Sequence, residues 1–155
     1  MVSKLTFKVK AEEYIFKNRG DNSSAGVTRH YACVTLLIDG KKLFDEYSVD
    51  MEELVKSLST SGEYFIITCD CGIPECTGIH QGIVVTHNAD QIEWQLTQPI
   101  TANFTFSYQD YFKTIEELLV TLADNNLDSD LGCYAYNLDF HSKTLAKLRS
   151  YQNNI

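Results

Sequence analysis

The chain has 155 residues, of which 44% are hydrophobic and 12% aromatic, enough to build one compact domain with a substantial core. It has no run of eighteen apolar residues and no charged-then-apolar start, which argues against a membrane helix and a secretory signal. The five cysteines are an odd number, which suits reduced thiols better than a secreted disulfide framework. We therefore expect a single cytoplasmic domain spanning residues 1–155.

The net charge of −8 is distributed unevenly along the chain. Residues 1–62 hold nine basic and nine acidic residues, whereas residues 63–142 hold twelve acidic residues and one basic residue, Lys113. A segment with a net charge of −11 disfavours nucleic acid and anionic membranes as partners and favours a basic protein or a cation. Acidity also keeps many cytosolic proteins soluble, so charge alone does not assign a partner.

The first third of the chain reads as strands. The first strand is indicated by apolar residues that alternate with polar ones: Leu5, Phe7, Val9 and Ala11. Residues 17–26 carry the Asn, Gly, Asp and Ser of a surface loop. Residues 29–38 are rich in Tyr, Val, Thr, Leu and Ile, and Asp39-Gly40 predicts a tight hairpin into residues 41–47.

Strong helix-start signals follow at Asp50. Asp50 is the predicted N-cap, Glu53 would close a capping box, and Val49 with Leu54 would form a hydrophobic staple. The apolar stripe of this helix is Met51, Leu54, Val55 and Leu58. Residues 59–62, with the sequence STSG, end it.

The middle of the chain predicts a meander. Residues 63–68 and 83–87 are strand-like and flank a cysteine-rich loop, which makes that loop the long connection of a β-hairpin. Residues 91–97 add a third strand. A fourth strand is indicated by alternating apolar residues: Ala102, Phe104, Phe106 and Tyr108.

Two further helices complete the pattern. Residues 110–124 repeat apolar residues at helical spacing: Phe112, Ile115, Leu118, Leu119 and Leu122. Residues 133–136 suggest a short edge strand, and Asp139 or Ser142 would cap a last helix with Leu145, Leu148 and Tyr151 inside. Because these helices do not alternate strictly with strands, the sequence predicts an α+β fold, mainly an antiparallel sheet of hairpins and a meander with two to three helices on one face.

The cysteine-rich loop offers a set of metal ligands. Cys69, Cys71, Cys76 and His80 match the four thiolate and imidazole ligands of a structural zinc site. Their spacing is unusual, because one residue separates the first two cysteines and all four ligands lie within twelve residues. If the preceding strand continued, alternation would place both first thiols on its buried face.

Two other interpretations of the loop stay open. In the structural one, Cys69 is a small core residue while Gly72, Gly78 and Gly82 supply turn conformations. In the redox one, His80 or His87 acts as a base that lowers the pKa of a nearby thiol. A metal-sensing domain and a cysteine-dependent redox protein are therefore the alternatives to a simple binding protein.

The loop also carries a resemblance. Residues 69–79 read CDCGIPECTGI, and Val84-Val85 and then Trp94 follow. This pattern of CxCG, three residues, CxG, a strand and a tryptophan resembles a motif of small uncharacterised bacterial proteins. Residues 36–40, LLIDG, are similar to the segment that precedes the motif there. The likeness covers residues 30–96 and implies that the loop is a family feature, without implying an activity.

The sequence favours binding over catalysis. It contains no phosphate-binding glycine loop, no metalloprotease helix and no nucleophile elbow. We therefore expect a non-enzymatic, immunity-type bacterial protein that neutralises a basic toxin, for example a nuclease, through its acidic surface. The candidate partner-binding residues are Asp110, Glu116, Glu117, Asp124, Asp128 and Asp130.

Overall fold

Antiparallel sheets and helices combine into the α+β fold that the sequence predicts. The computed structural model describes residues 1–16, 27–42, 47–69, 73–125, 128–129 and 138–152. Within these ranges the helices are α1 (Met51–Lys56), α2 (Tyr108–Asp124) and α3 (Leu138–Gln152). The strands are β1 (Leu5–Phe16), β2 (Val27–Ile38), β3 (Lys41–Lys42), β4 (Ser48–Val49), β5 (Gly62–Tyr64), β6 (Ile67–Thr68), β7 (Ile83–Asn88), β8 (Gln91–Leu96), β9 (Ala102–Ser107) and β10 (Asp128–Ser129).

The first sheet is built on a long hairpin. Strands β1 and β2 pair antiparallel over their whole length, and β10 pairs with β2 in parallel. The predicted turn between β2 and β3 is confirmed, because Asp39 and Gly40 have φ values of 54° and 76°, as a two-residue hairpin turn requires. The predicted loop at residues 17–26 lies outside the described residues.

The second sheet is the predicted meander, in the order β5-β7-β8-β9. In β8 the side chains of Ile92, Trp94 and Leu96 are buried, while Glu93 and Gln95 are exposed. Ser3 connects the two sheets, since its N–H donates to the Thr105 carbonyl at 2.7 Å just before β1 begins.

The predicted strand over residues 63–68 is wrong in one respect, because the chain changes partners in its middle. Strand β5 pairs with β7, whereas β6 pairs with β4 in a separate ladder. The cause is the start of α1: the Glu53 carboxylate accepts from the Phe65 N–H at 3.0 Å, and the Ile66 carbonyl accepts from the Asp50 N–H at 2.8 Å. Alternation is lost there, and residues 66–68 are all buried.

Helix α1 begins as predicted but with half of the capping box. The Asp50 carboxylate accepts from the Glu53 N–H at 3.1 Å, which confirms the N-cap. The reciprocal bond is absent among the described residues, because the Glu53 carboxylate is bonded to Phe65 instead. Val49 and Leu54 of the predicted staple are both buried.

Helix α2 is the longest helix described and lies at the centre of the core. It begins at Tyr108, so that residue belongs to the helix and not to the strand before it, and the Ser107 hydroxyl caps it by accepting from the Asp110 N–H. All five residues of the predicted stripe are buried, and Tyr111 is buried with them: Phe112, Ile115, Leu118, Leu119 and Leu122.

Helix α3 packs against α2 and begins earlier than predicted. Asp139 and Ser142 both lie inside the helix, so neither of them is its N-cap. The predicted inner stripe is confirmed, with Leu148 buried and Leu145 and Tyr151 half-buried. The edge strand predicted at residues 133–136 lies outside the described residues.

A buried polar chain joins α1, α2 and β8. Trp94 Nε1 donates to the Tyr111 hydroxyl at 3.2 Å, that hydroxyl lies 2.8 Å from Ser57 Oγ, and Ser57 Oγ donates to the Leu54 carbonyl at 2.6 Å. The three rings of Trp94, Phe106 and Tyr111 pack around it, with centroids between 5.2 and 5.8 Å apart.

The carbonyl groups that follow α1 also have partners from the second sheet and α2. The Ser57 carbonyl accepts from His87 Nε2 at 2.8 Å, and the Leu58 carbonyl accepts from the Tyr108 hydroxyl at 3.2 Å. The short helix is thereby fixed at both ends by long-range hydrogen bonds. No helix in the described ranges is long and apolar enough to cross a membrane.

The N-cap of α1 gives a pH-dependent prediction. Burial raises the pKa of the Asp50 carboxyl above its ordinary value of 3.8, because desolvation outweighs the hydrogen bond from the Glu53 N–H. The folded protein then binds more protons than the unfolded chain just above pH 3.8, so this group lowers stability as the pH rises through that interval. Asp50→Asn keeps the acceptor but cannot ionise, so the variant should gain stability relative to wild type as the pH rises.

Asp50→Ala is the matched comparison, because it removes the acceptor as well as the charge. It should lower the free energy of unfolding by about 1 kcal/mol. Urea unfolding between about pH 3.5 and pH 7, followed by the fluorescence of Trp94, the single tryptophan, measures both variants. If the stability of the Asp50→Asn variant parallels that of wild type at every pH, the raised pKa of Asp50 is contradicted.

Candidate functional site

The cysteine-rich loop leaves the core after β6 and returns to it at β7. Its described part contains a single 3-10 turn, Pro74–Thr77, which ends at Gly78 in the left-handed conformation with φ 79°. The Thr77 hydroxyl donates to the Pro74 carbonyl at 2.9 Å, and Ile79 is buried just after the turn. The loop therefore has a local fold of its own and one apolar anchor.

The structure describes three of the four predicted metal ligands, and these three differ in exposure. Cys69 is half-buried, Cys76 and His80 are exposed, and Cys71 lies outside the described residues. Within the described ranges, no group of three or more His, Cys, Asp or Glu side chains is arranged to hold a metal ion. Because Cys71 is not among these residues, the zinc hypothesis stays a prediction.

The redox interpretation is constrained at one of its two histidines. His87 Nε2 lies 2.8 Å from the Ser57 carbonyl, which can only accept, so this nitrogen carries the proton. Its ring is therefore engaged at the end of α1, and Nε2 is not available as a base. His80, which lies in the loop, is therefore the histidine that the redox interpretation still allows as the base.

Side chains from two distant segments hold the end of the loop in place. Gln98 Oε1 accepts from the N–H groups of both His80 and Gln81, at 2.7 and 3.0 Å. The Glu63 carboxylate accepts from the next N–H, that of Gly82, at 2.8 Å. Three successive backbone donors are thus satisfied without a sheet ladder. No sequence pattern marks Glu63 or Gln98 for this role, because both partners are distant in the chain.

Gly82 is required at this point by space and not by backbone conformation. A Cβ atom there would lie 2.9 Å from the Tyr64 carbonyl oxygen and 2.9 Å from Glu63 Cγ. Gly78, in contrast, has open space around it but a positive φ. Of the three loop glycines, Gly78 supplies a turn conformation as predicted, Gly82 permits a close approach to β5, and Gly72 lies outside the described residues.

The acidic candidates on α2 lie on its outer side. Asp110, Glu117 and Asp124 are exposed, and Glu116 is half-buried. Lys113 Nζ lies 3.9 Å from Glu117, and both side chains are more than half exposed, so this pair offsets little of the negative charge. Two further candidates, Asp128 and Asp130, contribute no described side chain.

Other exposed carboxylates lie away from α2. Glu75 is exposed on the 3-10 turn, and Glu93 is exposed on β8.

Between α2 and residues 2–7 lies a groove of about 580 Å³ that contains Asp110 and Glu117 on one side and Lys4 on the other. The acidic character of the described surface is therefore broad, and among the described side chains α2 holds the largest acidic set on one element.

Comparison with protein-family models, with curated proteins and with solved structures gave no significant match.

The close contact at Gly82 predicts a large effect of a small substitution. Gly82→Ala would push a methyl group into the Tyr64 carbonyl and displace the Glu63 carboxylate, at a cost of about 1–3 kcal/mol in the free energy of unfolding. Denaturant unfolding measures this cost.

Gly62→Ala is the matched control, because the nearest atom to its Cβ would be in the Tyr64 ring at 3.4 Å, an ordinary contact. It should change the unfolding free energy by less than about 0.5 kcal/mol. Equal losses in the two variants would show that Gly82 is not held against β5.

Proposed function

We propose that this chain is a non-enzymatic binding protein that presents the acidic outer side of α2 to a basic protein partner. In its concrete form, we propose a bacterial immunity-type protein that neutralises a basic toxin such as a nuclease. The observation that carries the proposal is the division of α2 into one fully buried side and one exposed side that bears carboxylates.

The buried side of α2 supports this proposal because it fixes the helix that carries the acidic residues. Ile115, Leu118, Leu119 and Leu122 are completely buried, so the helix cannot rotate or shift without opening the core. The backbone positions that carry the carboxylates are therefore fixed before binding, so a partner has to order only the side chains. A loop of equal charge would lose more conformational freedom when a partner binds.

The charge supports a basic partner in particular. Glu117 and Asp124 are exposed, and Lys113 is the single basic residue of the helix. Complementary charge between partners accelerates their encounter and suppresses binding to acidic or neutral surfaces. A toxin that acts on nucleic acid must itself carry basic groups to bind phosphates, and an acidic surface competes for those groups.

The proposal predicts that neutralising α2 slows association. Glu117→Gln with Asp124→Asn should reduce the association rate with a basic protein encoded by the neighbouring gene by about three- to tenfold at low salt. The difference from wild type should shrink as the salt concentration rises, because exposed charges are screened. Surface-immobilised kinetics at about 20 mM and about 300 mM NaCl measure both effects.

A double variant of equal charge change provides the control. Glu75→Gln with Glu93→Gln removes two exposed carboxylates from the loop and from β8 and should change the association rate by less than about twofold. Equal effects of the two double variants would show that only the total charge matters. If the neighbouring genes encode no basic protein that binds this chain, the immunity function itself is contradicted.

A further inference from the structure

A groove between α1 and α3 stands apart from the acidic surface. It encloses about 540 Å³, within the range of small-molecule sites. Val55 and Thr144 are buried at its floor, and Tyr151 is half-buried beside them. We call it the α1–α3 groove. Its walls come from two helices that are far apart in the chain.

The rim of the α1–α3 groove is basic. Lys56 lies on the α1 side, and Lys143 and Lys147 lie on the α3 side. Among the described residues that line the groove, Glu52 is the single acidic one, and its carboxylate accepts from Lys56 at 3.0 Å. That carboxylate raises the pKa of Lys56, which keeps the ammonium group charged. The described lining residues thus carry a net positive charge, on a protein whose net charge is −8.

Two of these lysines lack a counter-charge among the described side chains. Lys143 and Lys147 are exposed, one helical turn apart, and no ion pair within the described residues involves either of them. Like charges at this spacing destabilise a helix slightly. An anionic group placed between them would remove the repulsion and gain two favourable interactions, as phosphate and carboxylate ligands do with lysine.

The length of the groove limits what can occupy it. Helix α1 has six residues, which corresponds to about 9 Å. A helical peptide of ordinary length would extend well beyond this wall, whereas an organic molecule of one or two rings would fit within it. Since the floor is apolar and the rim basic, we propose that the α1–α3 groove binds a small organic anion, in which a carboxylate, sulfonate or phosphate is joined to an apolar body.

The fluorescent anion 1-anilinonaphthalene-8-sulfonate is a direct probe, because it joins one sulfonate to an apolar ring system. Wild-type protein should bind it saturably at one site, and Lys143→Gln with Lys147→Gln should weaken its affinity about five- to tenfold. N-phenyl-1-naphthylamine has a similar body without the charge, so its affinity should be the same for both proteins. Amide shifts of Val55 and Tyr151 on titration with the sulfonate place the site.

Two further variants make the result decisive. Lys8→Gln with Lys41→Gln removes two exposed lysines far from the groove in sequence and should leave sulfonate binding within twofold. Ala146→Glu adds a carboxylate to the groove lining at an exposed helical position and should weaken binding at least as much as the lysine variant.

The proposal is overturned if the Lys143/Lys147 variant and wild type bind the sulfonate equally, or if the neutral probe loses affinity to the same extent. It is also overturned if the amide shifts fall outside α1 and α3. If an acidic helical peptide binds in the groove and the sulfonate does not, the small-anion proposal is overturned and the ligand is a protein.

Discussion

The Tyr111 hydroxyl is the contact on which the arrangement of helices and sheet depends. Trp94 Nε1 can only donate and the Leu54 carbonyl can only accept, so the protons along the chain have one direction. Trp94 donates to Tyr111, Tyr111 donates to Ser57, and Ser57 donates to Leu54. All four groups are buried, and burial raises the pKa of Tyr111 above its ordinary value of 10.0, which keeps the donating proton in place.

This chain of hydrogen bonds links the two surfaces for which we propose ligands. It fixes α2 between α1 and the second sheet, and α3 then packs on α2 and reaches α1. The outer side of α2 carries the acidic residues, while the contact of α3 with α1 forms the basic groove. One buried junction therefore positions two surfaces of opposite charge, which is why the ligands we propose for them differ in charge.

Much of the fold could be predicted because its signals are local. The Asp39-Gly40 turn, the N-cap at Asp50 and the stripe of α2 depend on residues a few positions apart. The split between β5 and β6 could not be predicted, because it follows from the hydrogen bond between Glu53 and Phe65. A bond between residues so far apart leaves no periodic pattern in the sequence. The placement of Asp110, Glu117 and Asp124 in one helix could be predicted from its apolar stripe, but the groove could not, because Lys56 and Lys143 come together only in the folded chain.

The measurement that tests the junction most directly is the stability of Tyr111→Phe, since it removes one oxygen and leaves Trp94 Nε1 buried without an acceptor. We predict a loss of about 1–3 kcal/mol in the free energy of unfolding, with tryptophan fluorescence and far-UV circular dichroism changing together. Tyr108→Phe, whose hydroxyl also bonds a carbonyl after α1 but on a half-buried side chain, should lose less. A Tyr111 variant as stable as wild type, or no less stable than the Tyr108 variant, would contradict the central role of this hydroxyl.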